Sequence, residues 1–306
     1  MIFRYEYHGG VWVDLEQPTE EEMQSVSREF SISGRIEKEL LSPTPTPLVA
    51  SDAGAALLVL HFPSHGVENG ETGNQEIDVI VGKGFIITVR YEVIAPLYHL
   101  KKQLETQKVV APHVLITSDV LFEILFVHLY TSVRDHINHV VDHLGRIEQE
   151  MFDGRERTTV RPISSISREF LHMEAALANQ EEPLGRFLGI VAERNFFNAS
   201  FAERAEHIRA ERTQVARLIE THRAVASELR ETNIALLEAS QNGIMKTLTI
   251  VNFIFLPLGL ITWIFAMRTE GIPFIASPNG FWIVLAMMAG VAALLTIFFV
   301  KKRWLF

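Results

Sequence analysis

The sequence predicts an α+β domain, a long stalk helix and two C-terminal transmembrane α-helices. Three observations carry this reading. Short apolar runs punctuated by turn residues fill the chain up to Arg90. Strand signals then stop, and apolar residues recur at helical spacing. Near the end, residues 247–266 and 281–300 are two stretches of 20 residues without a charge.

Ile2–Tyr7 and Val11–Leu15 read as strands joined by a Gly-Gly turn. PTEEEMQSVSREF reads as a helix, with Pro18 and Thr19 at its start and Glu20, Glu21 and Glu22 complementing the N–H groups of its first turn. SPTPTP at 42–47 is a proline-rich connector. Leu57–Phe62, Ile77–Val81 and Phe85–Arg90 read as further strands, and the polar, glycine-rich loop Ser64–Asn74 as a mobile one. Gly82-Lys83-Gly84 fits a hairpin turn and lacks the context of a phosphate-binding loop. These elements make an N-terminal α/β domain over 1–95.

A helical region follows over 96–192. Val120, Leu121, Ile124, Leu125, Val127, Ile137, Val140, Val141, Leu144 and Ile147 mark one helix; 163–190 marks another, which EEPLG at 181–185 is expected to interrupt. From Glu193 to Ala266 the chain contains only Gly243, Pro257 and Gly259 as breakers. A single helix of about 70 residues would be about 105 Å long; the alternative is a break at AERNFFNASF, whose helix propensity is modest. Ile208, Val215, Leu218, Ile219, Val225, Leu229, Leu236 and Leu237 form an intermittent apolar stripe along this stalk, 193–246. Its glutamates, including Glu203, Glu206, Glu211, Glu220, Glu228 and Glu231, alternate with arginines as ion pairs on a solvated surface do.

Only five of the 28 basic residues and one of the 37 acidic ones lie beyond position 245, so residues 1–245 carry a net charge of −13. A basic footprint is absent, which excludes a nucleic-acid partner. The absence of cysteine excludes disulfides, thiolate metal sites and cysteine nucleophiles. No G-x-S-x-G, P-loop, H-E-x-x-H or dinucleotide fingerprint is present, and the chain is not expected to be an enzyme. MIFRYEYHGGVWVDL has no basic region followed by an apolar one, so no cleaved signal peptide is expected.

Each uncharged stretch of 20 residues reaches about 30 Å as a helix, the thickness of the hydrocarbon core. Lys246 precedes the first, and Lys301, Lys302 and Arg303 of the tail 301–306 follow the second; the loop 267–280 carries only Arg268 and Glu270. The positive-inside rule then places that loop outside and both termini in the cytoplasm, in a multi-pass inner (plasma) membrane protein with the lipid bilayer as partner. Trp282 and Trp304 stand near the expected interfaces, and Pro257 frees one backbone carbonyl inside the first span. Two helices per chain cannot enclose a wide path, so conduction would require several copies around an axis. Asn252 is a lone amide in the first span; it reads either as the lining of a cavity or as a packing contact between helices.

His128, His136, His139 and His143 fall within about 80° of one another on a helical wheel. They read as a solvated or inter-helix histidine face. The alternative is a zinc, cobalt or nickel site built on His136, His139 and His143, in which His139 and His143 stand four residues apart.

NGIMKTLTIVNFIFLPLGLITWIFAM, at 242–267, resembles the pore helix of CorA-like divalent metal ion transporters, and MKTLTIVNFIFLPL is its most specific part. WVDLEQPTEEE, DHLGRIEQEMF and the KKRWLF tail are also similar to that family, so the resemblance covers essentially the whole chain. It implies a homopentameric funnel in which five copies of the first span line a central pore. No cofactor is required; a divalent ion (Mg, Co, Ni or Zn) is the transported or sensed ligand. The family's pore face carries over to Asn242, Met245, Leu248, Asn252, Leu256 and Gly259.

The pore mouth departs from the family. The signature Gly-Met-Asn is replaced by Ala266, Met267 and Arg268, and a glycine five residues before the asparagine is replaced by Trp263, which would narrow a pore that it faced. The family's asparagine presents a carbonyl ring to a hydrated cation, whereas arginine has donors only and a permanent charge. Two such charges about 8 Å apart repel by about 2 kcal/mol at an effective dielectric of about 20. Glu270, two residues from Arg268, is the loop's one carboxylate, and pairing between them would bring the mouth charge near zero. The resemblance therefore implies a metal channel or transporter with selectivity altered from magnesium. Its alternatives are a non-conducting scaffold or sensor of the same architecture and an anion-permeable variant.

Overall fold

The computed structural model describes residues 2–64, 73–110, 115–267 and 279–302. Much of the Ser64–Asn74 loop, the outer-loop residues Arg268 and Glu270, and Arg303 and Trp304 lie outside the described residues. The chain forms two compact units, 1–230 and 231–306.

The first unit opens with β1 (Ile2–Tyr7) and β2 (Gly10–Glu16), then α1 (Glu20–Glu29) and α2 (Gly34–Glu39), then β3 (Leu48–Ser51), β4 (Ala55–Pro63), β5 (Asn74–Gly82) and β6 (Phe85–Arg90). The six strands form one sheet in the order β1-β2-β6-β5-β4-β3; every neighbouring pair is antiparallel except β2 and β6. That parallel pair requires a crossover, which α1, α2, β3, β4 and β5 supply. The Lys83-Gly84 turn closes the β5–β6 hairpin at the Gly82–Phe85 pair, with Gly84 at φ 83°. Thr19 caps α1 through a reciprocal capping box with Glu22. Alternate residues on one sheet face, including Val13, Leu15, Ile87 and Val89, pack with Met23, Val26, Ile36 and Leu40 of α1 and α2.

The opposite faces of β2 and β6 carry an ion network. Asp14 is wholly buried: it accepts from Thr88 Oγ1 at 2.5 Å and from Arg90 Nη2 at 3.2 Å, and it pairs with Lys101. Trp12 Nε1 donates to Thr88 Oγ1 at 3.1 Å, and Arg90 Nη2 also reaches Glu16 at 2.5 Å. Removing one partner would leave the other charges buried and short of a counter-charge. Lys101 belongs to α3 (Ala95–Val110), so the network ties that helix to the sheet.

Three elements complete the helical part: α4 (Ser118–Glu150), a π-helical segment Met151–Arg155 in which Gly154 adopts φ 85°, and α5 (Glu156–Glu193). α5 runs straight through the EEPLG stretch, contrary to the expected interruption. Pro183 removes one bond to the carbonyl of Asn179, and Asn179 is exposed, so water can replace that bond. Gln180 is fully buried where α4, α5 and β4 meet: it accepts from Tyr130 Oη at 3.0 Å and donates to the His61 carbonyl at 2.7 Å. A turn with Asn195 at φ 51° then leads to α6 (Phe201–Ala266). The stalk helix therefore begins at the end of AERNFFNASF, not at Glu193, and Phe122, Phe197 and Phe201 cluster around that turn. In the stripe, Ile208, Val215 and Ile219 are buried, whereas Val225 is 42 % exposed and Ala226 occupies its expected place. β3 and α2 are elements that periodicity did not reveal: four and six residues are too short to show a period.

Glu76 and Asp78 stand on one face of β5. Tyr91 Oη lies 3.0 Å from the Leu40 carbonyl and 3.2 Å from Asp78 Oδ2, but its single proton can serve only one of them. Burial, and then the neighbouring Glu76, raise the Asp78 carboxyl well above the ordinary range. A protonated Asp78 donates where Tyr91 cannot.

Two outcomes are expected. Arg90→Ala costs about 3–5 kcal/mol in denaturant-induced unfolding, because it strips Asp14 of a buried partner. The raised pKa of Asp78 favours folding most in acid and less as pH rises beyond the ordinary Asp value of about 4. Asp78→Asn therefore flattens the fall in stability as pH rises above the ordinary Asp value of about 4; an unchanged slope would show that Asp78 is ionised throughout.

Candidate pore face

In the second unit, the C-terminal part of α6 packs against α7 (Gly280–Lys301). Both helices are long and apolar enough to cross a membrane. α7 presents one half-buried or buried stripe (Val284, Met288, Val291, Ala292, Leu295 and Phe299) at helical spacing, and the rest of its surface is largely exposed. On α6, Ile250 is buried, Phe253 meets Phe299 with ring centroids 6.3 Å apart, and Thr262 Oγ1 lies 3.8 Å from Met288 Sδ. Ile250, Ile254 and Ile261, all buried or half-buried, fall about 160–200° from Asn252 on a wheel of 100° per residue.

Met245, Leu248, Leu256, Gly259 and Trp263 fall within about 40° of Asn252 on the same wheel. They form the face of α6 turned away from α7. Leu256 and Trp263 are 72 % and 71 % exposed, against 4 % for Ile250. Asn242 sits at the edge of this face, about 80° round, and is exposed. Ala266 is the last residue of α6, and Met267 N donates to the carbonyls of Trp263 and Ile264 at 3.2 and 3.3 Å.

Polar groups inside an apolar span must be satisfied locally. Thr247, Thr249 and Thr262 each donate to the carbonyl four residues earlier, at 3.1, 2.8 and 2.9 Å. Asn252 is exposed and makes no side-chain hydrogen bond among the described residues. Its amide holds an acceptor and two donors available to water or to another chain. The sequence singles out Asn252 but gives no sign that the three threonines are self-satisfied beyond the placement of their hydroxyls in a helix interior.

The structure does not bring His136, His139 and His143 together around one point. His136 is buried with Nε2 2.8 Å from Glu169 Oε1 of α5, while His139 and His143 lie on the exposed flank of α4. Among the described residues, no three His, Asp or Glu side chains are placed to hold a metal ion. One wheel face spans both the α4–α5 seam and its solvent edge, which separates the rings. Glu169 is held below the ordinary carboxylate range first by its hydrogen bond with His136, against the effect of burial, and further by His136, His143 and His139. Burial pushes the nearby His172 down. Within the stalk Glu206 pairs with Arg209 at 2.7 Å, as the charge alternation predicts, whereas Glu211 pairs with Arg134 of α4 at 2.7 Å and Arg223 with Glu174 of α5.

The family described as CorA-like Mg2+ transporter protein matches residues 7–303. The cobalt/magnesium transport protein CorA of Methanocaldococcus jannaschii is 22 % identical over 302 residues, covering 96 % of this chain and 91 % of the relative. The putative metal ion transporter YfjQ of Bacillus subtilis is 24 % identical over 304 residues, covering 96 % and 89 %. The complete structure of the Methanocaldococcus jannaschii CorA magnesium transporter superposes with a TM-score of 0.79 at 21 % identity, over 99 % of this chain and 93 % of the other.

The two faces of α6 differ in a measurable way. In this cysteine-free chain, a cysteine at Leu248, Asn252 or Leu256 is expected to react with a water-soluble methanethiosulfonate, and one at Ile250 or Ile261 to stay protected. The reverse pattern in the membrane-embedded protein would place water on the α7 side.

Proposed function

The chain belongs to the family of CorA-like Mg2+ transporter proteins, and from that membership we propose that it assembles as a homopentamer around the free face of α6. Like its family it is a divalent cation transporter with two transmembrane helices, and it is not an enzyme. Both termini lie in the cytoplasm, where Lys246, Lys301 and Lys302 satisfy the positive-inside rule. The relatives named for cobalt and magnesium transport support a divalent ion as cargo, and Mg, Co, Ni and Zn are the candidates.

The observation that carries this reading is the face of α6 that α7 leaves uncovered, with Asn252 at its centre. Exposed alone, an amide within a span is costly in lipid; facing an axis, it meets water or its own copies. Met245, Leu248 and Leu256 make apolar rings on either side, and the amide oxygen accepts hydrogen bonds from the waters of a hydrated cation. Trp263 narrows the path one helical turn short of the end of α6. Arg268 replaces the family's mouth asparagine and raises the entry barrier for a strongly hydrated divalent ion, which shifts selectivity away from magnesium.

Flux into proteoliposomes tests this directly, with magnesium, cobalt, nickel, zinc and chloride compared. Divalent cations are expected to enter; Asn252→Leu is expected to lower that entry, and Arg268→Asn to raise magnesium entry by about tenfold or more. An intact oligomer that passes no ion would instead establish a scaffold or sensor. Chloride flux without cation flux would establish an anion pathway.

A further inference from the structure

A groove between α5 and α6 of the first unit opens into a cavity of about 400 Å³ lined by Ser164, Ser167, Arg168, Arg223, Ser227 and Arg230, with Leu171 on its wall. Three arginines in one cavity are unexpected in a segment, 1–245, whose net charge is −13. Arg223 is matched by Glu174. Neither Arg168 nor Arg230 makes an ion pair or side-chain hydrogen bond among the described residues. Arg168 and Arg230 are both exposed, so the groove presents to solvent two permanent positive charges without an ion-pair partner among the described residues, each a planar fork of donors. Ser167 donates its hydroxyl to the Ile163 carbonyl at 2.9 Å. The hydroxyls of Ser164 and Ser227 make no bond among the described residues and are free to donate.

We propose that this cavity is a binding site for a phosphate monoester. Two unmatched guanidinium groups fit the charge of about −1.5 to −2 that a monoester carries at pH 7, and its three terminal oxygens accept from arginine forks and serine hydroxyls together. Arg168 and Arg230 hold the phosphate, Ser164 and Ser227 complete its donors, and Leu171 lies beside the esterified group. The site uses no residue of the pore face and stands whether or not the α6 face conducts ions.

A soluble phosphomonoester and the monoester headgroup of phosphatidic acid share this chemistry, so the test separates them. Isothermal titration of the full-length protein, in phosphatidylcholine nanodiscs at constant ionic strength, uses inorganic phosphate and adenosine monophosphate as probes. One saturable site per chain is expected, weakened about tenfold or more by Arg168→Gln and again by Arg230→Gln, and unchanged by Arg157→Gln. Arg168→Lys with Arg230→Lys keeps the charge and loses the fork, so intermediate binding is expected even if the glutamine variants fold poorly. In nanodiscs containing phosphatidic acid, loss of soluble-probe binding identifies the lipid as the natural source, and retention identifies the soluble ester. Absence of saturable binding, affinity indifferent to both arginines, or dissociation of the oligomer in the glutamine variants would overturn the proposal. The last result would mean that carboxylates of a second copy fill the cavity.

Discussion

The constraint on which the second unit depends is that an apolar helix must satisfy its own polar groups. Thr247, Thr249 and Thr262 do so by bonding back to carbonyls one turn earlier. The asparagine amide is too large and too polar to be absorbed by one hydroxyl-like bond, and Asn252 stays outward. α7 covers the side of α6 that carries Ile250, Ile254 and Ile261, so Asn252 is left on the uncovered one. An amide ring flanked by apolar rings is what fivefold assembly on that face would produce.

The first unit solves a different polar problem. Its sheet buries Asp14 completely and supplies Thr88, Arg90 and Lys101 as counterparts from a parallel neighbouring strand and from α3. Such a network contributes little net stability over an apolar packing, yet it penalises every misregistered pairing of β2 and β6. Gln180 performs a comparable task between α4, α5 and β4. Buried polar contacts of this kind specify which elements meet.

Much of the architecture was legible in the chain. Short apolar runs bounded by turn residues located five of the six strands, the β5–β6 hairpin included, and uncharged runs of 20 residues located both apolar helices. The misses have physical causes. β3 and α2 are too short to carry a period, and Pro183 broke no helix because its lost bond falls on an exposed carbonyl. The histidine face at 136, 139 and 143, by contrast, is solvated and inter-helix as it reads: the seam with α5 takes His136 to Glu169 and leaves the others exposed. The cavity arginines could not be found by pattern, since Arg168 and Arg230 lie on different helices with no motif between them.

The sequence by itself determined the order of the longer elements, the two apolar spans and the family. These depend on local hydropathy, charge and residue identity, which need no partner to be read. Tertiary structure alone decided which side of α6 remains free, because a wheel gives angles but not the direction from which α7 packs. It likewise decided which charges are matched. Asp14 finds Arg90 76 residues away, while Arg168 and Arg230 meet in one cavity without an acid between them, and distances of that kind exist only once the chain has folded.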